Sequence, residues 1–195
     1  MKCPRCQYEN SPEAKFCREC GTRALPTGEP HFGSPDAYTP AHLAERILIS
    51  KAAVEGERKQ VTVLFADLKG SMELLLDRDP EDAQRILDPV LERMMDAVHR
   101  YEGTVNQVMG DGIMALFGAP IACEDHAIRA CYAALRMQEL VTKYADEVFR
   151  WHGITLRIRV GLNSGEVVVR AIGSDLKMDY TAVGATTHLA ARMEQ

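Results

Sequence analysis

The chain has no long apolar run. In 195 residues, no stretch free of charged side chains is longer than about a dozen. A membrane-spanning helix needs about 20 consecutive apolar residues, so no membrane partner is expected. The N-terminus, Met1-Lys2-Cys3-Pro4-Arg5-Cys6, has no apolar segment of the kind a secretory signal carries. A cytoplasmic location is the expectation. Positive charge is also short: 23 Lys+Arg against 28 Asp+Glu leave a net charge of −5. Residues 1–58 carry eight charges of each sign, and residues 59–195 carry 15 positive against 20 negative. Neither part is a basic module, so no nucleic-acid partner is expected. Internal repeats and low-complexity tracts are missing too. What remains, at 46% hydrophobic and 26% charged residues, has the composition of a globular protein: one ordinary domain with a small appendage.

Four of the six cysteines fall in the first 20 residues, as Cys3-x-x-Cys6 and Cys17-x-x-Cys20. A two-residue spacer lets both thiolates of one knuckle reach one ion, and two knuckles complete a tetrahedral sulfur shell. The pattern predicts a structural zinc site at Cys3, Cys6, Cys17 and Cys20. It is similar to the short zinc ribbons that precede many bacterial signalling domains. Cys123 and Cys131 stand far downstream and read as small buried hydrophobes.

Pro26, Gly28, Pro30, Gly33, Pro35 and Pro40 mark a linker. Thr39-Pro40 then offers an N-cap and an N1 proline for a short helix from Ala41 to about Ile49, docking through Leu43 and Ile47. From Gln60 the pattern alternates. Val61–Ala66 is a six-residue apolar run, expected as a buried strand. Asp79 and Pro80 start a long helix with apolar residues at Ile86, Leu87, Val90, Leu91, Met94, Met95 and Val98, which Gly103 ends. Thr104–Met109 and Ile113–Phe117 flank Gly110-Asp111-Gly112 as a hairpin. A second long helix is expected from about Glu124 to Arg150. Two more strands, Thr155–Leu162 and Glu166–Ala171, are expected around a turn at Asn163-Ser164-Gly165. The order β-α-(α)-β-β-α-β predicts an α+β fold, a ferredoxin-like α/β sandwich.

Asp67 ends the first predicted strand, and Asp111 sits at the hairpin tip, 44 residues later. In this fold the strand and the hairpin are neighbours, so both carboxylates can meet at one sheet edge and hold hard cations. Lys69-Gly70-Ser71 follows with a turn whose amides can face phosphate oxygens. That combination suits two-metal phosphoryl chemistry. The plain alternative is that Asp67 caps a helix and Asp111 makes the turn.

Phe65-Ala66-Asp67-Leu68-Lys69-Gly70-Ser71, Val108-Met109-Gly110-Asp111-Gly112-Ile113-Met114-Ala115-Leu116-Phe117-Gly118 and Val160-Gly161-Leu162-Asn163-Ser164-Gly165-Glu166-Val167 resemble the class III adenylate/guanylate cyclases. So does Tyr180-Thr181-Ala182-Val183-Gly184 with Leu189-Ala190-Ala191-Arg192-Met193-Glu194. The resemblance is strongest to the bacterial multidomain subgroup that carries an N-terminal zinc ribbon. It implies conversion of ATP, possibly GTP, to the 3′,5′-cyclic nucleotide and pyrophosphate in signal transduction. It also implies two Mg²⁺ or Mn²⁺ ions on Asp67 and Asp111 with the Leu68 carbonyl, and β/γ-phosphates on the Lys69-Gly70-Ser71 backbone. Arg192 matches the family's transition-state arginine. His188 stands where the family usually has a catalytic asparagine. Gln107 and Thr181 occupy the base-recognition positions, and glutamine can read adenine or guanine by turning its amide.

Family members form head-to-tail homodimers, with metal aspartates from one chain and base and transition-state residues from the other. The implied division is a zinc ribbon at 1–24, a linker with a short helix at 25–57, and a cyclase domain at 58–195 whose C-terminal hairpin is expected to be missing. The alternative, motivated by Gln107, His188 and the hairpin expected to be missing, is a catalytically degenerate domain that binds nucleotide or serves as a regulatory adaptor.

Overall fold

The computed structural model describes residues 8–9, 18–19, 38–51, 58–70, 79–168 and 185–194. The chain divides into two compact units, Met1–Gly33 and Ser34–Gln195. Within the first, Cys3, Cys6, Cys17 and Cys20 lie outside the described residues.

The described elements of the second unit are α1 (Ala41–Lys51), β1 (Arg58–Leu68), α2 (Pro80–Arg100), β2 (Thr104–Met109), β3 (Gly112–Phe117), α3 (His126–His152), β4 (Ile158–Val168) and α4 (Ala185–Glu194). The sheet order is β2-β3-β1-β4, and each of its pairings is antiparallel. This is the expected ferredoxin-like sandwich. The optional helix after β1 would fall on residues 71–78, outside the described residues.

Because side chains alternate along a strand, β1 sorts its residues between two faces. Leu64, Ala66 and Leu68 join Ile113, Ala115 and Phe117 on the face that α2 and α3 cover, each with 1% exposure or less. Burying a leucine, isoleucine or phenylalanine side chain contributes about 1.5–3 kcal/mol. Val61 and Val63 face the other way, where they pack with Met114, Leu116, Val167, Ala190 of α4 and Leu43 and Ile47 of α1. The predicted docking of α1 through Leu43 and Ile47 is what is observed.

The helices follow their sequence signals with four differences at the ends. Asp79 sits at the α2 N-cap in an extended conformation, but its side chain makes no capping bond. Its carbonyl instead accepts from the amides of Asp82 and Ala83, at 3.0 Å each. At α1 it is the Pro40 carbonyl that takes the amides of Leu43 and Ala44, so the cap lies one residue beyond Thr39. At the end of α2 the left-handed residue is Glu102 (φ 58°), not Gly103. Glu102 is held there by Arg46 of α1 and by Arg129 of α3. Gly103 is required for space: a Cβ would stand 2.5 Å from the Phe117 ring. Helix α3 runs two residues later than expected, to a left-handed Gly153 (φ 67°).

Two expectations fail. Residues 163–165 are not a turn: β4 runs unbroken from Ile158 to Val168 and pairs with β1 along its whole length. Asn163-Ser164-Gly165 looks like turn chemistry, but its glycine serves helix packing. A Cβ on Gly161 would strike the Ala190 carbonyl and come within 2.6 Å of the Glu194 amide; one on Gly165 would stand 2.6 Å from Thr186 Oγ1. Asn163, between them on the same face, donates to the Thr186 carbonyl at 3.0 Å. Gly-x-Asn-x-Gly is a strand whose small positions let α4 lie directly on the sheet. The second failure is Cys131, which is exposed, with Cys123 half-buried. On α3 the buried stripe is Ala130, Ala133, Ala134, Met137, Val141 and Val148, and the position after Ala130 turns about 100° away from it.

Candidate active site

The apolar part of β1 ends at Asp67, whose side chain falls on the face shared by α1 and α4. Its neighbours in register are Gly112 on β3 and Arg159 on β4. Gly112 must be glycine for Asp67 to lie there: a Cβ would meet Asp67 Oδ1 at 2.8 Å and the Ala66 carbonyl at 2.6 Å. On its other side Gly112 pairs with Met109, which leaves Gly110 and Asp111 as the turn. Gly110 takes φ 71°, the left-handed conformation that glycine adopts at least cost. The outcome is that Asp111, half-buried at the tip, comes within hydrogen-bonding reach of Asp67.

Two carboxylates held that close repel each other. Burial first, then the charges of Asp111 and Glu194, push the Asp67 pKa up to about 6. The Arg159 guanidinium forms a long ion pair with Asp67, 3.8 Å from its Oδ2. A divalent cation would relieve the repulsion and take hard oxygen donors it prefers. The donor set therefore fits Mg²⁺ or Mn²⁺. Among the described residues, no three His, Cys, Asp or Glu side chains converge to close a metal site alone.

The remaining predicted positions divide. Leu68 follows in β1 with its side chain buried, and its amide supports the Asp67 carboxylate. The Lys69 amide donates to the Arg157 carbonyl at 2.8 Å, so that one of the three turn amides is already engaged. Gly70 is exposed with φ 74°. Ser71 and Thr181 lie outside the described residues. Gln107 is exposed on β2, opposite Met114, in the next row of the same sheet face. Arg192 and His188, four apart on α4, are exposed on one side of the helix, and Ala190 between them is buried against the sheet. The end of α4 that reaches the carboxylates in the same chain is Glu194, not Arg192: Glu194 Oε1 lies 3.1 Å from Arg159 Nε.

Arg159 and Glu194 are the residues that sequence reasoning missed. The signal was present in the strand period. With β4 read as continuous, Arg159 shares the face of Gly161, Asn163 and Gly165, under α4.

Fold and site together define a class: a ferredoxin-like domain with paired carboxylates at the edge of its central strands and a polar helix across the sheet. The family profile described as the adenylate and guanylate cyclase catalytic domain matches residues 54–195, and a zinc-ribbon domain profile matches residues 2–24. The chain belongs to the adenylate and guanylate cyclase catalytic domain family, with an N-terminal zinc-ribbon domain. It is similar to adenylate cyclase 1 of Rhizobium meliloti (strain 1021), 31% identical over 138 residues, which cover 70% of this chain and 21% of that protein. Among solved structures it is similar to the guanylyl cyclase Cya2, with 35% identity, a TM-score of 0.66 and 72% of each chain covered. It is also similar to the adenylyl cyclase CyaB of P. aeruginosa, with 33% identity and a TM-score of 0.65, over 72% of this chain and 74% of that one. The chain spans between a fifth and a third of the length of the curated relatives it matches.

Proposed function

We propose that this chain converts ATP, or GTP, to the 3′,5′-cyclic nucleotide and pyrophosphate, at sites shared between the two chains of a head-to-tail homodimer. The observation that carries the reading is the pair Asp67 and Asp111, brought together by β1 and the β2–β3 turn. The setting is signal transduction in a bacterial cytoplasm. No described helix is long and apolar enough to cross a membrane.

Asp67 and Asp111, with the Leu68 carbonyl, would hold two Mg²⁺ or Mn²⁺ ions. Such ions, when bound, lower the pKa of the ribose 3′-hydroxyl and neutralise charge on the triphosphate. A cation on these oxygens would favour the ionised form of Asp67 and so oppose the rise in its pKa. The turn at Lys69, Gly70 and Ser71 receives the β/γ-phosphates. The 3′-hydroxyl gives its proton to solvent and its oxygen bonds to the α-phosphorus, the bond from that phosphorus to the oxygen bridging to the β-phosphate breaks, and pyrophosphate leaves. Arg192 meets the negative charge that develops on the α-phosphoryl group, a use suited to a fixed cation. His188 donates a hydrogen bond to ribose or phosphate. Gln107 and Thr181 read the base edge.

Arg192 and His188 are exposed on α4, on the side turned away from the sheet. That placement suits service to a partner's carboxylates, and it supports the shared site. The two solved structures named above are one guanylyl and one adenylyl cyclase, at 35% and 33% identity. Together with the ambivalent amide of Gln107, this supports a nucleotide preference of less than about a hundredfold. In the N-terminal domain, Cys3, Cys6, Cys17 and Cys20 would bind one structural zinc.

A second reading is favoured by Gln107 at a base-recognition position and by His188 in place of the family's usual asparagine: a domain that binds nucleotide without turnover. One experiment separates them. The protein is incubated with ATP or GTP and Mn²⁺, and products are identified by mass spectrometry. Cyclic nucleotide with equimolar pyrophosphate is expected. Nucleotide binding with no product would favour the second reading.

A further inference from the structure

Three large apolar side chains of α3 stand in solvent on the side away from the sheet. Ile128 is 60% exposed, Tyr132 55% and Leu135 68%. Cys131 beside them is exposed as well. Single exposed apolar residues need no explanation, but these four fall at i, i+3, i+4 and i+7 and form one stripe. A different stripe, Ala130, Ala133, Ala134 and Met137, already holds α3 to the domain. Tyr101 at the end of α2 stacks on Tyr132, with ring centroids 5.9 Å apart, and widens the outer stripe.

The stripe is its own complement. Ile128 and Leu135 lie on one line, about 10 Å apart, and Cys131 and Tyr132 flank its midpoint at about 50° to either side. A copy of α3 laid antiparallel across it sets Ile128 on the partner subunit's Leu135. Cys131 then meets the partner subunit's Cys131 beside the two-fold axis, and Tyr132 the partner subunit's Tyr132. The charges favour the same direction. At the N-terminal end Glu124 is exposed and forms no ion pair among the described residues, while Asp125 is taken by Arg129. At the C-terminal end Arg136 and Lys143 both hold Glu139, at 2.7 Å each, so two cations and one carboxylate leave a net charge of +1. Antiparallel pairing brings Glu124 to that positive end twice over, whereas parallel pairing sets like against like.

We propose that the outer face of α3 is a self-association surface, on which two copies of this chain pair antiparallel about a two-fold axis at Cys131 and Tyr132. The sheet separates it from the face proposed for the shared catalytic site: α2 and α3 cover one side, α1 and α4 the other. Both contacts can form at once, and head-to-tail dimers then join into tetramers or longer chains. One helix face is smaller than a standard interface of about 1,200–2,000 Å², so the pairing depends on protein concentration.

The test uses the whole chain. In sedimentation velocity over a concentration series, the wild type is expected to double in mass. Leu135→Glu puts a carboxylate into the apolar stripe and weakens that step at least about tenfold. Glu124→Lys weakens it about two- to fivefold, and adding Arg136→Glu restores it, because opposite charges face each other again. Damage to the fold of one chain would show no such rescue. A short bismaleimide, which adds one thiol across each of its two double bonds, should join Cys131 to Cys131 in the wild type and not in Leu135→Glu, as read by peptide mass spectrometry.

A mass that does not respond to Leu135→Glu overturns the proposal. So does a Cys131 that a monofunctional maleimide modifies while the bismaleimide gives no link between two copies. A Cys131 shielded from maleimide in a chain that does not double in mass places the cover within one chain, and assembly only with a different protein gives the stripe another partner; either result overturns it too. Failure of the shared catalytic site is distinguishable, because the same α3 step then runs from monomer to dimer instead of from dimer to tetramer.

Discussion

The two faces of the sheet are built on different rules. Towards α2 and α3, Leu64, Ala66, Leu68, Ile113, Ala115 and Phe117 are sealed from solvent, and so are Met94 and Val98 of α2 and Met137 of α3. Towards α1 and α4, the apolar residues Val61 and Val63 occupy only the first half of β1. Phe65 is half-buried, Asp67 carries charge, and β4 contributes Gly161, Asn163 and Gly165. One face maximises buried apolar area. The other gives up side-chain volume so that a helix can approach and polar groups can gather at one end. On this account stability resides in the first face and chemistry in the second, and substitutions should separate them.

The largest expected effect belongs to the packed face. Phe117→Ala removes a fully buried ring and should lower unfolding stability by about 3–5 kcal/mol, read from the urea midpoint. Activity per folded molecule should change little.

Gly161→Ala tests the other face. The added Cβ meets backbone of α4, which must lift. A displacement of about 1 Å at a reacting group costs on the order of 10² in rate, whereas overpacking costs about 1–3 kcal/mol in stability. Cyclic-nucleotide formation should therefore fall far more than the urea midpoint implies. Equal losses in both would erase the distinction between the faces.

A smaller effect comes from the margin of the packed face, where α2 ends. His99 is mostly buried, and its Nε2 has no hydrogen-bond partner among the described residues. Burial, and then the charge of His42 on α1, lower its pKa from 6.5 to about 4. The native state thus binds fewer protons than the unfolded chain across that window. The stability His99 contributes is present above pH 6.5 and is lost as pH falls towards 4. His99→Leu should flatten the acid side of the stability profile by about 2 kcal/mol relative to wild type, in urea titrations at pH 7 and pH 4.

The same contrast explains what the sequence made legible. The packed face announces itself: an apolar run in β1, a three-and-four repeat in α2 and a glycine-flanked turn all carry local signals that agree with the fold. Asp67 and Asp111 were legible because a hydrophobic strand end and a Gly-Asp-Gly turn have few structural meanings. The α4 face was read poorly. Asn163-Ser164-Gly165 has the composition of a turn, and only the neighbouring helix explains its small residues. Arg159 was missed because its significance lies in facing Asp67 across a strand pair and Glu194 on the helix above the same face. Neither relation has a local signature. Cys131 was misplaced because residue type outweighed helical phase.

The central claim is that each site takes Asp67 and Asp111 from one chain and Arg192 from the other. Asp111→Ala and Arg192→Ala are prepared as separate proteins, each expected to form no more than about 10⁻² of wild-type product. They are then mixed under conditions of proven subunit exchange. In a heterodimer both lesions fall in one site and the other site is intact, so activity should return to about a quarter of wild type when chains pair at random. A mixture that exchanges subunits and stays inactive would contradict the shared site and remove Arg192 from it.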